Sequence, residues 1–291
     1  MLPMGAFFCI SKDGINMIHK LINLRPENSE VTLEVICARP GFGCDTPPRP
    51  AFIVCPGGAY AGLSAREGEP IALRLIPDGF QGFVLKYSVG DHAVYPAPLQ
   101  DVSMAICHIR ENAEEYNVDP DKIFVTGFSA GGHLAAAYGV FWNTELAAFP
   151  GMVKGSNKPA GVAPCYPVIT PDEKTGHRYS YSMICGGDDK VDAIADSYNP
   201  AKHVTEDTVP MFLWHTFSDA LVPVMSSLIM AEALNEKKIP FELHVYPHGA
   251  HGMSLANEET AMGQGGTLVD PHTAQWIESM IYWAKEICAD K

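Results

Sequence analysis

The stretch Ile123-Phe124-Val125-Thr126-Gly127-Phe128-Ser129-Ala130-Gly131-Gly132-His133 decides how the rest of the chain is read. Ile123 to Thr126 has the β-branched and aromatic make-up of a short buried strand, and the small and apolar residues from Ala130 to about Val140 suit a helix. Between them lies the chain's sole G-x-S-x-G match, Gly127 to Gly131. A serine at the apex of so sharp a strand-to-helix turn leaves no room for side chains two residues before and after it, which is the reason for the glycines. The turn lifts the serine hydroxyl above the sheet. It also directs the Ala130 amide and the positive end of the following helix toward the place where negative charge develops in acyl transfer. A nucleotide-binding turn is excluded, because neither G-x-G-x-x-G nor a phosphate-loop Gly-Lys-Ser/Thr is present here.

Outward from this turn, short apolar runs alternate with helical patterns, the mark of a mostly parallel sheet with helices on both faces. Toward the amino terminus the expected strands are Val31 to Cys37, Ala51 to Cys55 and Gly82 to Tyr87, with a Pro/Gly-rich loop from Arg39 to Pro50. Helices are expected from about Arg66 to Ile76 and from Pro98 to Tyr116, where Val102, Ile106 and Ile109 recur at helical spacing. Toward the carboxyl terminus the strands are Ala160 to Tyr166, Met211 to Trp214 and Phe241 to Tyr246. Helices are expected at Pro223 to Lys237 and from about His272 to Ile287. The polar, irregular stretch Thr170 to Thr208, with one short helix near Asp192 to Tyr198, reads as an excursion over the site within one domain covering 1–291.

A serine hydroxyl attacks only when a base takes its proton, and the base needs a partner that fixes its tautomer. In a strand-elbow-helix setting these follow in the order Ser, acid, His. Asp219, in His215-Thr216-Phe217-Ser218-Asp219, lies just past a late strand, at the end of the sheet where ligands bind in open α/β folds. Asp207 precedes that strand and belongs at its wrong end, while Asp188, Asp189, Asp192 and Asp196 lie on the excursion. His251, in Pro247-His248-Gly249-Ala250-His251-Gly252, follows the last strand with glycines on both sides, and His248 is its rival. His244, His248 and His251 do not read as a metal site, since His244 is in a strand and Pro247 and Gly249 break any helix that would bring ligands together.

Cys55-Pro56-Gly57-Gly58-Ala59-Tyr60 follows an early buried strand, and its glycines let the backbone approach a substrate and offer N–H groups to an oxyanion. With Gly127 to His133, Asp219-Ala220-Leu221-Val222-Pro223 and His248 to Gly252, this loop makes the chain resemble bacterial esterases of the acetyl-xylan-esterase and hormone-sensitive-lipase-like group, from about Val31 to Ile287. The resemblance implies an α/β-hydrolase fold with about eight strands and a Ser129, Asp219, His251 triad. It also implies an oxyanion hole from the Gly57, Gly58 and Ala130 amides, with Tyr60 at the substrate. The implied activity is removal of acetyl or other short acyl groups, often from sugars, with no cofactor and no metal. Pro56 departs from the histidine many relatives carry. An amidase or peptidase on the same scaffold, and a catalytically silent binding protein, are the rival readings.

Composition narrows the partners. The 291 residues are 47% hydrophobic and 19% charged, a globular balance with ample material for a core. A formal charge of −14 with scattered Lys and Arg argues against nucleic acid. Of eight cysteines, Cys37, Cys55, Cys107, Cys165 and Cys185 sit in apolar or small-residue surroundings and read as buried small hydrophobes in a reducing compartment. The amino-terminal apolar patch Ala6 to Ile10 has no basic leader, and no run reaches the roughly 18 apolar residues of a membrane span. The expectation is a cytoplasmic protein acting on a small-molecule ester or an acetylated saccharide, with homo-oligomers an open alternative.

Overall fold

The computed structural model describes residues 17–40, 46–261 and 266–289; the Ala6 to Ile10 patch and part of the 39–50 loop lie outside the described residues. Among the described residues eight strands form one sheet: β1 (Met17–Asn23), β2 (Thr32–Ala38), β3 (Arg49–Cys55), β4 (Gln81–Lys86), β5 (Val118–Phe128), β6 (Gly161–Cys165), β7 (Met211–Thr216) and β8 (Phe241–Tyr246). Their order is β1-β2-β4-β3-β5-β6-β7-β8. β2 is antiparallel to both β1 and β4, and every other pairing is parallel. The helices are α1 (Glu69–Leu75), α2 (Ala97–Glu111), α3 (Ala113–Tyr116), α4 (Ala130–Phe141), α5 (Arg178–Cys185), α6 (Asp188–Ile194), α7 (Met225–Lys237), α8 (Glu258–Ala261) and α9 (Trp276–Ala289). This is the α/β-hydrolase architecture that the elbow motif led us to expect.

Parallel strands covered on both faces are apolar at successive positions, and the two-residue period sends alternate side chains to opposite cores. Ala51, Ile53 and Cys55 of β3 join Ile123 and Val125 of β5 and Met211 and Leu213 of β7 in one cluster, with Leu99 and Val102 of α2, Leu134 of α4 and Met230 of α7. Phe52 and Val54, Phe124 and Phe128, and Phe212 and Trp214 face the other way, toward Ile71 and Leu75 of α1 and Trp276 and Met280 of α9. α4 is buried along its whole length, as a helix without a polar face must be. Truncating a fully buried residue of this kind, such as Ile53, costs about 2–5 kcal/mol.

Several expected boundaries move, each for a physical reason. β5 begins at Val118 rather than Ile123 because Arg49 of β3 pairs with Val118 before a register shift, and the intervening Asp119-Pro120-Asp121 hides the strand in the sequence. The long helix after Pro98 ends at Glu111, where the Asn112 side chain donates to the His108 carbonyl, and resumes as α3. β1 has no counterpart in the sequence reading: it is an edge strand with one buried residue, so its alternation is faint. The excursion is more helical than expected, forming α5, α6 and two short 3₁₀ turns. The five cysteines read as buried are buried and free. No helix among the described residues is long and apolar enough to cross a membrane.

Candidate active site

Ser129 sits between the end of β5 and the start of α4 with φ 55° and ψ −114°. A non-glycine residue in such a conformation costs about 1–3 kcal/mol and persists only where neighbours hold it. Here the Ser129 N–H donates to the Cys165 carbonyl, while the Ser129 carbonyl accepts from the His133 and Val168 amides. The flanking glycines are needed for closeness. A Cβ on Gly127 would lie 2.0 Å from the Gly131 carbonyl oxygen, and one on Gly131 would lie 2.1 Å from the Cys55 carbonyl oxygen. Both obstacles are backbone, so neither can rotate away.

The serine, histidine and aspartate picked from the sequence meet in one hydrogen-bonded line. Ser129 Oγ is 2.7 Å from His251 Nε2, and His251 Nδ1 is 2.6 Å from Asp219 Oδ2. Asp219 lies three residues beyond β7, whose last two residues, His215 and Thr216, extend the strand past the expected end at Trp214. Its Oδ1 accepts from the Leu221 and Val222 amides, both at 2.9 Å. His215 Nε2 donates to the Val222 carbonyl at 2.9 Å and passes Asp219 Oδ2 at 3.5 Å, while its Nδ1 faces the Ser227 hydroxyl at 2.8 Å. Burial alone would push the Asp219 carboxyl up; the His215 and His251 hydrogen bonds and the Val222 amide outweigh it and hold the group well below the usual carboxylate range. Asp219 is therefore ionised and fixed in place at neutral pH.

The loop carrying His251 is tied to the loop carrying Asp219. Ser218 Oγ both donates to the Gly249 carbonyl and accepts from the Gly249 amide, and Thr216 Oγ1 also donates to that carbonyl. Tyr166, just past β6, packs its ring edge-on against the His251 imidazole with centroids 5.3 Å apart. The rivals lie elsewhere. His248 is exposed and Asp207 is exposed at the opposite end of β7. Asp188 and Asp192 pair with Arg178, and Asp196 pairs with Lys202. His244 is 2.5 Å from Glu242.

The loop after β3 differs from expectation at two residues. The Gly57 N–H donates to Glu67 Oε2 at 3.0 Å, so it is occupied and not free for an oxyanion. The amides of Gly58 and Ala130 have no protein acceptor among the described residues and stand as the free donors. Tyr60, expected at the substrate, is fully buried; its hydroxyl is 2.9 Å from Tyr95 Oη and 2.8 Å from His133 Nδ1. Ala59 and Tyr60 both take positive φ in the turn that carries this ring. His133 Nε2 donates to the Tyr198 carbonyl, so the network joins this loop, α4 and the excursion. Burial pushes His133 down to about 4. Glu67, Tyr166 and His215 escaped the sequence reading. Only His215, a polar residue ending an apolar strand, left a local sign.

The BD-FAE family model matches residues 44–234, a span that holds Ser129 and Asp219, with His251 beyond it. Endo-1,4-beta-xylanase B of Butyrivibrio fibrisolvens is 37% identical over 221 residues, covering 75% of this chain and 34% of that protein. The acetylxylan esterase of Xylanibacter ruminicola is 27% identical over 264 residues, covering 89% of this chain and 49% of that protein. The chain thus spans about a third and about half the length of these two relatives. Among solved structures, the acetyl ester-xyloside bifunctional hydrolase from Caldicellulosiruptor lactoaceticus superposes with a TM-score of 0.76 at 31% identity, covering 92% of this chain and 96% of that one.

Proposed function

Since the chain belongs to the BD-FAE family, we propose that it is a serine carboxylesterase that removes short acyl groups, acetyl foremost, from small esters and acetylated saccharides. The observation that carries this reading is the line from Ser129 Oγ through His251 to Asp219, with contacts of 2.7 and 2.6 Å. His251 takes the Ser129 proton as the hydroxyl attacks the ester carbonyl. Asp219 keeps the other ring proton on Nδ1 and stabilises the imidazolium. The tetrahedral oxyanion is met by the Gly58 and Ala130 amides, and a donor of this kind contributes about 3 kcal/mol in the transition state. Collapse expels the alcohol with the proton from His251 and leaves an acyl-serine. Water then attacks that ester with His251 again as base, returning acid and free enzyme.

Acetyl preference finds support in the relatives, one an acetylxylan esterase and one an acetyl ester-xyloside hydrolase. We infer that the 170–208 excursion borders the site. His177, at the start of α5, lies within electrostatic reach of His251 and Asp219, and burial followed by the His251 charge pushes it below the ordinary imidazole range. The test is a screen of acetylated xylo-oligosaccharides and aryl esters of increasing acyl length on wild type and Ser129→Ala. Acetates hydrolysed by wild type alone, with rates falling as the acyl chain grows, are the expected result. Equal hydrolysis by both proteins would refute the assignment.

A further inference from the structure

Glu67 is 4% exposed and forms no ion pair among the described residues. A buried carboxylate is costly unless its oxygens are hydrogen-bonded, and both are. Oε2 accepts from the Gly57 amide at 3.0 Å, and Oε1 accepts from the Tyr166 hydroxyl at 2.6 Å. The Tyr166 oxygen in turn accepts from the Ser254 amide at 3.0 Å, three residues past His251. Next to Glu67, the Arg66 carbonyl accepts from Ser254 Oγ at 2.7 Å, and the Arg66 guanidinium donates to the Gly252 carbonyl at 2.7 Å. One short turn, Ala65–Glu67, therefore grips the loop after β3 with one hand and the His251 loop with the other.

Gly57 is packed against the nucleophile: a Cβ there would lie 2.8 Å from the Phe128 carbonyl oxygen and 3.1 Å from Ser129 Cβ. The carbonyl of the same peptide, that of Pro56, accepts from the Tyr87 hydroxyl at 2.7 Å, so both polar groups of the Pro56-Gly57 peptide are held. We propose that Glu67 is a positioning residue for ester hydrolysis: by accepting the Gly57 N–H it orients the loop that presents the Gly58 amide to the oxyanion, and through Tyr166 it steadies the segment that carries His251. The proposal rests on the esterase reading above and deepens it.

Glutamine at position 67 cannot satisfy the same partners. With its oxygen toward Gly57, its amino group meets the Tyr166 oxygen and the tyrosine proton loses its acceptor. With its oxygen toward Tyr166, the amino group opposes the Gly57 N–H. One grip is lost either way, and misplacing an oxyanion donor forfeits part of the 10²–10³ in kcat that such a donor is typically worth. The experiment measures kcat, KM, the fluorophosphonate labelling rate and the thermal midpoint for wild type, Glu67→Gln, Tyr166→Phe and Ser129→Ala, with 4-nitrophenyl acetate well below each midpoint. Expected is a loss of roughly 10- to 100-fold in kcat for Glu67→Gln with KM changed by less than about threefold, labelling slowed in step, and a smaller loss of the same pattern for Tyr166→Phe. A purely architectural role would lower the midpoint and leave kcat per folded molecule unchanged, which would overturn the proposal; should Glu67→Gln fail to fold, Tyr166→Phe decides by the same criterion. Ser129→Ala without activity beside fully active Glu67→Gln and Tyr166→Phe overturns this proposal alone. Acetate hydrolysis persisting in Ser129→Ala overturns the esterase reading and this proposal with it.

Discussion

Replacing Asp219 with asparagine separates the shape of the acid from its charge, and the surrounding hydrogen bonds dictate which way the new amide must face. Oδ1 of Asp219 accepts two backbone amides, Leu221 and Val222, each at 2.9 Å. An asparagine amino group placed there would oppose two N–H donors, so its oxygen takes that side and its amino group turns toward His251 Nδ1, now 2.6 Å from Oδ2. The imidazole then accepts at Nδ1 and must carry its proton on Nε2, the nitrogen that lies 2.7 Å from Ser129 Oγ. A base in that tautomer cannot take the serine proton. The expected loss in kcat is about 10⁴, or about 5 kcal/mol in activation free energy. KM for a small aryl acetate should change by far less, because the substrate itself does not touch Asp219 in this mechanism. The assay is 4-nitrophenyl acetate hydrolysis with active-site titration by a fluorophosphonate. If Asp219→Asn keeps more than a tenth of wild-type kcat, the tautomer argument fails.

Other outcomes follow from the same contacts. Gly127→Ala sets a methyl group 2.0 Å from the Gly131 carbonyl oxygen; the variant should express as insoluble protein or melt far below wild type, and a soluble, active Gly127→Ala would contradict the elbow geometry. Tyr60→Phe removes the hydroxyl shared by Tyr95 and His133, which should lower stability by about 1–3 kcal/mol in urea titration and leave KM nearly untouched; a large KM change with intact stability would return Tyr60 to the substrate. His133 is held down to about 4 in the folded protein against about 6.5 in an unfolded chain, so the unfolded state binds more protons between those values. Its effect is absent above pH 6.5, grows as pH falls, and is complete near pH 4 at about 3 kcal/mol of lost stability. Urea titrations across that window should show His133→Gln with a shallower acid slope than wild type, whatever its stability at pH 7.

How far the chain could be read without coordinates follows the range of the forces involved. The strand, elbow and helix from Ile123 to Val140 were legible because steric exclusion of side chains at Gly127 and Gly131 is local and leaves a local pattern. Phe241 to Tyr246 was read at its observed boundaries. By contrast, β1 is an edge strand with a single buried residue, and such a strand is specified by the partner it pairs with more than by its own composition. Tyr60 shows where resemblance overreached: a Gly-Gly-Ala-Tyr loop announces a close approach to substrate, yet which way its last ring turns depends on Tyr95 and on His133, 73 residues away. Glu67 is a sharper case, since its partners are ten residues away at Gly57 and 99 residues away at Tyr166. The helix expected from about Arg66 instead starts at Glu69, with Glu67 in the turn before it, and nothing in its sequence neighbours says that it is buried. The groups that perform acyl transfer are announced by strict local geometry, whereas the groups that hold them at the right distance are defined by the fold that brings them together. It is therefore in the second set, residues 67, 166 and 215, that substitutions with no sequence motif to warn of them should slow catalysis most.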